Sequence, residues 1–276
     1  MEYQQLIEEV LLFFESCPDN SISEDDAIRP DLVGMKIFDA PIFGVAAAND
    51  RVFHTFLHAE AIGPEFLLPE KWLPEARSVL SFFLPFTKQV KDSNRKQPAQ
   101  PSDEWLHARI EGQLMLSKLA NHIAGQLKNE GFAAVAPSSD PRFRMIRAYA
   151  SNWSERHVAY ACGLGTFGLS RGLITIKGMA GRFGSVVTSA PLPVTERKYD
   201  APFSYCAMCG RCQRNCPAKA IDITRGVVDG KDQKACAAFV DATRLPPHGP
   251  HQRIRYGCGK CQVSVPCESH IPIKIE

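Results

Sequence analysis

Four of the chain's ten cysteines fall in one short run, Cys206, Cys209, Cys212 and Cys216, and Pro217 follows directly. Thiolates are soft ligands. Three of them, each separated by two residues, can wrap three corners of one iron–sulfur cube. A fourth, set three residues further on before a proline that suits a helix start, points toward a second cube. Such a run leaves one cube a ligand short and supplies the other with a single ligand, so four more thiolates must come from elsewhere. Cys236, Cys258, Cys261 and Cys267 are the four that remain in the C-terminal part. We assign Cys206, Cys209, Cys212 and Cys267 to one [4Fe–4S] cluster and Cys216, Cys236, Cys258 and Cys261 to the other. Structural zinc is the competing reading, because C-x2-C pairs also build zinc sites. Zinc would use Cys206 and Cys209 with Cys258 and Cys261, and would leave the other four unexplained. A single cluster with a degenerate second site is a further alternative. Two adjacent cubes form a wire that passes one electron at a time, and a wire needs a terminus.

The rest of the chain must supply both the terminus and the scaffold. Hydrophobic residues make up 45% of the 276 positions and charged residues 22%, which implies a packed core and excludes wholesale disorder. A formal charge of +2 gives no support to nucleic acid as the main partner. Glu2, Glu8, Glu9 and Glu15 stand where a signal peptide would be basic. No apolar run is long enough for a membrane span. The expected location is the cytoplasm, where clustered thiols hold metal or do redox work. Only Cys17 and Cys162 precede residue 200. That step in cysteine density predicts a larger ordinary domain over residues 1–200 and a small metal-stapled module over 201–276.

Within the larger part, Leu6, Ile7, Val10, Leu11 and Phe14 share one helical face. Strands are expected at Ile42 to Ala47, at the apolar run Ser78 to Pro85, at Phe132 to Ala136, at Leu173 to Ile176 and at Ser185 to Thr188. Ser102 or Asp103 should cap a long helix reaching about Glu130, with Gly131 beyond its end. The polar stretch 88–103 reads as an exposed loop or lid. Strands alternating with helices argue for an α/β or α+β domain.

The segments LPEARSVLSFFLPF, SERHVAYACGLGTFGLSRGLITIKGMAGRFGSVVTSAPLP, CAMCGRCQRNCPAKAI, KACAAF and YGCGKCQVSVPC follow one another in this order. Over roughly residues 70 to 267 the chain resembles epoxyqueuosine reductases, and it is similar to the core of corrinoid reductive dehalogenases. The resemblance implies an α+β protein, a nitroreductase-like α/β domain followed by a two-cluster ferredoxin-like iron–sulfur module. It further implies cobalamin in the first domain, clusters that reduce its cobalt, and a last cysteine that joins the first three. Carried over by motif, Ser154, Glu155, Arg156, Gly163, Gly165, Gly168, Thr175 and Ser185 would line the corrin. From the residues alone, GLGTFG reads as a helix end and a tight turn. The family's proton-donating aspartate has no match here. The aligned place lies near Tyr149, which is the candidate acid or else an aromatic packing residue. Leu169-Ser170-Arg171 replaces the usual G-K-N, and the loop before Cys267 is longer. The sequence ends nine residues after Cys267, without the helical-repeat domain that helps such reductases hold tRNA, which argues against a tRNA substrate.

Two functions of different class follow. One is a reductase in which two clusters, fed by an external donor of ferredoxin or flavodoxin type, pass low-potential electrons to a corrinoid. The substrate would then be a small organic or nucleoside-like molecule. The other is an electron-transfer or activating protein that docks a redox partner and has no organic cofactor. Reduction of epoxyqueuosine in tRNA is a weaker third. His54 and His58 read as ordinary polar residues and Cys162 as a small buried one. Arg142, Arg144 and Arg147 form a basic group beside Phe143 that could grip an anion.

Overall fold

The computed structural model describes residues 2–147 and 150–273. Tyr149 lies outside the described residues. The centre of the molecule is β2, Ser78–Pro85, buried along its whole length. Successive side chains of a strand point to opposite faces. Leu80, Phe82 and Leu84 therefore enter one apolar core, while Val79 and Phe83 enter the cores on the other face. β1 (Ile42–Ala47) pairs with one edge of β2 and β8 (Gly181–Thr188) with the other. The short β3 (Ala134–Val135) extends β8 outward. The sheet order is β1-β2-β8-β3, antiparallel throughout. β4 (Met145–Arg147) pairs with β5 (Ala150–Ser151), and β6 (Gly165–Phe167) pairs with β7 (Leu173–Thr175).

Helix α1 (Tyr3–Ser16) buries Leu6, Val10 and Phe14. They share a core with Leu116, Leu119 and Ile123 of α5 (Asp103–Asn129), which lies on the same face of the sheet. Ser102 caps α5 by accepting the Trp105 N–H at 3.2 Å, and Asp103 and Glu104 complement the positive helix end. The opposite face is covered by α6 (Glu155–Ala161), the single turns α2 (Val52–Thr55) and α3 (Pro69–Trp72), and a stacked group of Phe56, Phe66, Trp72 and Trp153. His54 lies in α2, His58 lies beyond it, and Cys162 is fully buried.

The stretch expected as a loop or lid contains a helix instead. α4 (Lys88–Lys96) starts at Thr87, whose hydroxyl accepts the Val90 N–H at 3.4 Å. Lys88 and Arg95 both pair with Asp92 along its surface. Val90 and Asn94 are buried beneath it. Polar composition hid a helix anchored by two inward residues.

After residue 200 come α7 (Arg211–Arg214), α8 (Gly226–Asp229) and α9 (Gln233–Ala242) among turns. This segment is welded to the rest by buried polar contacts. Arg255, 1% exposed, donates to Glu111 at 2.8 Å and to the Asp26 carbonyl at 2.7 Å. Asn94 of α4 donates to the Cys258 carbonyl at 3.0 Å, and its own oxygens accept from Lys260 at 2.6 and 2.8 Å. Arg95 pairs with Glu268. Among the described residues no helix is long and apolar enough to cross a membrane.

Candidate metal centre

The eight C-terminal cysteines line two separate cavities. Cys206, Cys209, Cys212 and Cys267 surround one of about 20 Å³, closed down to roughly the room one water needs. Cys216, Cys236, Cys258 and Cys261 surround one of about 210 Å³. We call these the outer and inner cages, because Cys209 of the first is exposed while the second is walled by Phe86, Trp105, Gly181 and Arg182 of the N-terminal part.

Local backbone conformation sets the outer cage. Met208 and Gly210 both adopt positive φ, 48° and 67°, and turn the chain between successive cysteines before α7 begins. Cys267 arrives from a distant loop that the N-terminal part holds in place. The N–H of Met179 donates to the Cys267 carbonyl at 3.0 Å, and the Met179 sulfur lies 3.2 Å from Cys267 Sγ. Gly178, at φ 75°, presses so close that a Cβ there would stand 2.2 Å from the Glu268 oxygen.

The inner cage takes Cys216 from the end of the C-x2-C-x2-C-x3-C run, Cys236 from α9, and Cys258 and Cys261 from a loop packed on α5. Gly259 between the last two has φ 70°, and a Cβ would fall 2.0 Å from the Trp105 ring. Arg109, Arg182, Lys231 and Lys260 also line this cavity, and no carboxylate does.

Burial, then the neighbouring thiols, push Cys212, Cys258 and Cys267 each up to about 12. The thiols acting on Cys267 are Cys212, Cys206 and Cys209, and those acting on Cys258 are Cys261, Cys236 and Cys216. Each set, once ionised, is a group of buried negative charges that a cationic core would neutralise, and only the inner set has protein cations lining its cavity. Among the described residues no three His, Cys, Asp or Glu side chains converge tightly enough to hold a single metal ion. A four-iron cube is larger than one ion and spreads its four thiolates around its own body. The donor chemistry and the four-by-four arrangement fit two cubes, although the outer cavity of about 20 Å³ is smaller than such a cube.

The residues carried over for a corrin are less open. Gly165 sits inside the β6–β7 hairpin, where a Cβ would lie 1.9 Å from the Ile174 oxygen. Gly163, at φ 82°, abuts Thr195, and Gly168 abuts Ile174. The Thr175 hydroxyl donates to the Gly178 carbonyl at 2.8 Å and accepts the Lys177 N–H at 3.0 Å, closing its own turn. Ser185 is buried; it accepts from Trp153 Nε1 at 2.9 Å and donates to Glu155 Oε2 at 2.6 Å. All five make packing or hydrogen-bonding contacts within the protein. Glu155 and Arg156 differ. Glu155 Oε1 is buried without a hydrogen-bond partner, and burial raises the carboxyl to about 7. Arg156 donates to the Arg171 carbonyl at 2.6 Å and lies within electrostatic reach of Cys236 and Cys261. Ser154 accompanies His157 at 2.8 Å. Arg142 is committed to Asp140 and to the carbonyls of Lys71 and Trp72.

Sequence reasoning missed Arg109, Arg182 and Lys231 on the inner cage and Met179 on the outer. Arg109, Arg182 and Met179 reach the cages only because α5, β8 and the β7–β8 turn fold onto the cysteine segment, and Lys231 lies within that segment without a spacing that marks it.

No family model matches the sequence, and no curated protein matches it. Solved structures do. Epoxyqueuosine reductase from Streptococcus thermophilus aligns at TM-score 0.52 and 17% identity, covering 100% of this chain and 69% of that one. A catabolic reductive dehalogenase aligns at TM-score 0.56 and 14% identity, covering 98% of this chain and 37% of that one. A third structure, reported as suggesting a mechanism for B12-dependent dehalogenation, aligns at TM-score 0.54 and 15% identity over 84% of this chain and 30% of its own. This chain thus spans about a third of the dehalogenases' length. Its fold is the one shared by epoxyqueuosine reductases and reductive dehalogenases.

Proposed function

We propose that the protein is an iron–sulfur oxidoreductase with two [4Fe–4S] clusters, held by Cys206, Cys209, Cys212 and Cys267 and by Cys216, Cys236, Cys258 and Cys261. The ferredoxin-like module over 201–276 would conduct electrons into the nitroreductase-like unit over 1–200. The observation that carries this reading is that two distinct cavities are each lined by four cysteines drawn from different segments. The clusters supply one-electron transfer. The chain's own residues position them: α9 and the Cys258–Cys261 loop shape the inner cage, and the β7–β8 turn fixes Cys267 in the outer one. An external donor of ferredoxin or flavodoxin type would dock beside Cys209, and the exposure of that residue supports this reading.

For the acceptor, the likeness to a B12-dependent dehalogenase favours a corrinoid reducing a small organic or nucleoside-like substrate. Glu155, with an uncommitted oxygen, and Arg156 are the residues that support such a site. The commitment of Gly163, Gly165, Gly168, Thr175 and Ser185 to packing favours the second reading, an electron carrier that docks a redox partner and binds no organic cofactor.

The test is anaerobic purification with iron quantitation, a visible spectrum, and gel filtration with cobalamin. A brown protein holding close to eight irons supports the clusters, whereas a colourless or zinc-loaded one ends the proposal. Cys267→Ser and Cys236→Ser should each remove about half the iron and their combination nearly all, while Cys267→Ser with Cys206→Ala should remove no more than Cys267→Ser alone. Cobalamin that co-elutes selects the corrinoid enzyme, and clean separation selects the carrier.

A further inference from the structure

The two cages differ sharply in what surrounds their cysteines. Apart from the thiols, no residue lining the outer cage is ionisable; Leu169, Ile174, Met208, Val265 and Pro266 are typical of it. The inner cage is lined by Arg109, Arg182, Lys231 and Lys260. Among the described residues none of these four has an ion-pair partner. Arg182 donates to the neutral Gln113 and leaves a buried Nε without a partner. Lys231 donates to the Ser170 carbonyl at 2.8 Å, and the Arg109 guanidinium lies over the Tyr256 ring at 4.3 Å. Arg182 also feels Arg109 and Arg156, and Asp241, which acts on Arg109 from outside the cavity lining, offsets only part of the like charge gathered here. Such a gathering is costly unless an anion sits among them. Near the outer cage, Arg214 donates to the Cys209 carbonyl at 3.2 Å, but it is exposed and screened by water, as is Arg211.

Resting on the two-cluster reading above, we infer that the cationic lining makes the inner cluster the higher-potential member of the pair, so that electrons run from the outer cage toward the N-terminal unit. Each reduction adds one negative charge to a cube. Fixed positive charge in dry protein stabilises that added charge more strongly than the same charge in water. In the transfer step, an outer cluster reduced by an external one-electron donor returns to its oxidised level as the inner cluster gains the same electron. No proton or bond change is needed. The exposure of Cys209 works in the opposite sense, because water also favours the reduced state, but it touches one edge of the outer cage. The four cations bear on the inner cage itself. Arg109 and Arg182 are in this sense positioning residues for charge and not ligands.

The experiment is an anaerobic redox titration of the full chain followed by electron paramagnetic resonance, with iron quantitated on each sample. Two midpoints are expected. Arg182→Gln and Arg109→Gln should each move the higher midpoint downward while the lower stays in place, and Arg182→Lys, which keeps the charge, should restore most of the shift. Arg214→Gln, at the screened outer edge, should move neither by a comparable amount. The inference is overturned if the arginine variants leave both midpoints unmoved with full iron content, or move only the lower one. A wild-type sample with little or no iron overturns the two-cluster reading itself, which separates that failure from this one.

Discussion

Glu155 is a buried acid whose ionisation is strongly displaced. Its carboxyl lies beside Ser185 and Ser138, and desolvation lifts it from an ordinary 4.5 to about 7. A raised carboxyl binds its proton more tightly in the folded chain than in the unfolded one. The stability it contributes is therefore complete below about pH 4.5 and is lost as pH rises through about 7, a change on the order of 3 kcal/mol. Denaturant midpoints measured from pH 5 to 8 should fall for the wild type and stay nearly flat for Glu155→Gln. Parallel slopes in the two proteins would remove Glu155 from the account. Cys162 makes the opposite point: it adjoins the glycine-rich run, yet it is buried and burial drives its thiol upward, so it should resist alkylation until the protein unfolds. Thiol labelling of the native protein, with its iron retained, checks this.

At the scale of elements, two glycines with nearly the same backbone angle separate strain from contact. Gly259 and Gly226 have φ of 70° and 71°, but a Cβ on the first strikes the Trp105 ring while a Cβ on the second meets nothing within 4 Å. Gly226→Ala, at φ 71° and ψ −176°, should cost about 1 to 3 kcal/mol of strain and keep all the iron. Gly259→Ala should displace the inner loop and lose about half the iron. Equal iron in both variants would mean that Trp105 does not position the cage. Elements with strong local signals were legible in the sequence: β1 and β2 match the expected Ile42–Ala47 and Ser78–Pro85, and α5 begins after the expected Ser102. β2 reads clearly because a strand covered on both faces is apolar throughout. α4 did not, because its fixing residues, Val90 and Asn94, are buried by α5 and the cysteine loop, and neither is visible locally. The expected strand at 132–136 shrinks to Ala134–Val135, which is all that the end of β8 can pair. The cysteine spacing was readable because it is a local pattern. Arg109 and Arg182 on the inner cage were not, since α5 and β8 bring them from distant segments.

For the whole molecule, the deciding feature is how the C-terminal segment is joined to the rest. Arg255 is buried against Glu111 and Asp26, and Glu111 also holds His107 at 2.8 Å. Removing one partner of such a pair leaves an uncompensated buried charge, which typically costs about 3 to 5 kcal/mol. Glu111→Gln should lower the unfolding free energy measured in urea by about that amount and keep a single transition, because the contact spans both halves of the chain. A loss under about 1 kcal/mol, or a split transition, would show that the halves unfold independently. The same joining bears on how the protein matures. The β7–β8 turn grips the backbone at Cys267 and just after it, so the last sulfur of the outer cage is placed by residues made some ninety positions earlier. On the proposed reading, a nascent chain has no finished outer receptacle until Cys267 has been made and the two halves have closed. Iron delivery there follows folding rather than preceding it.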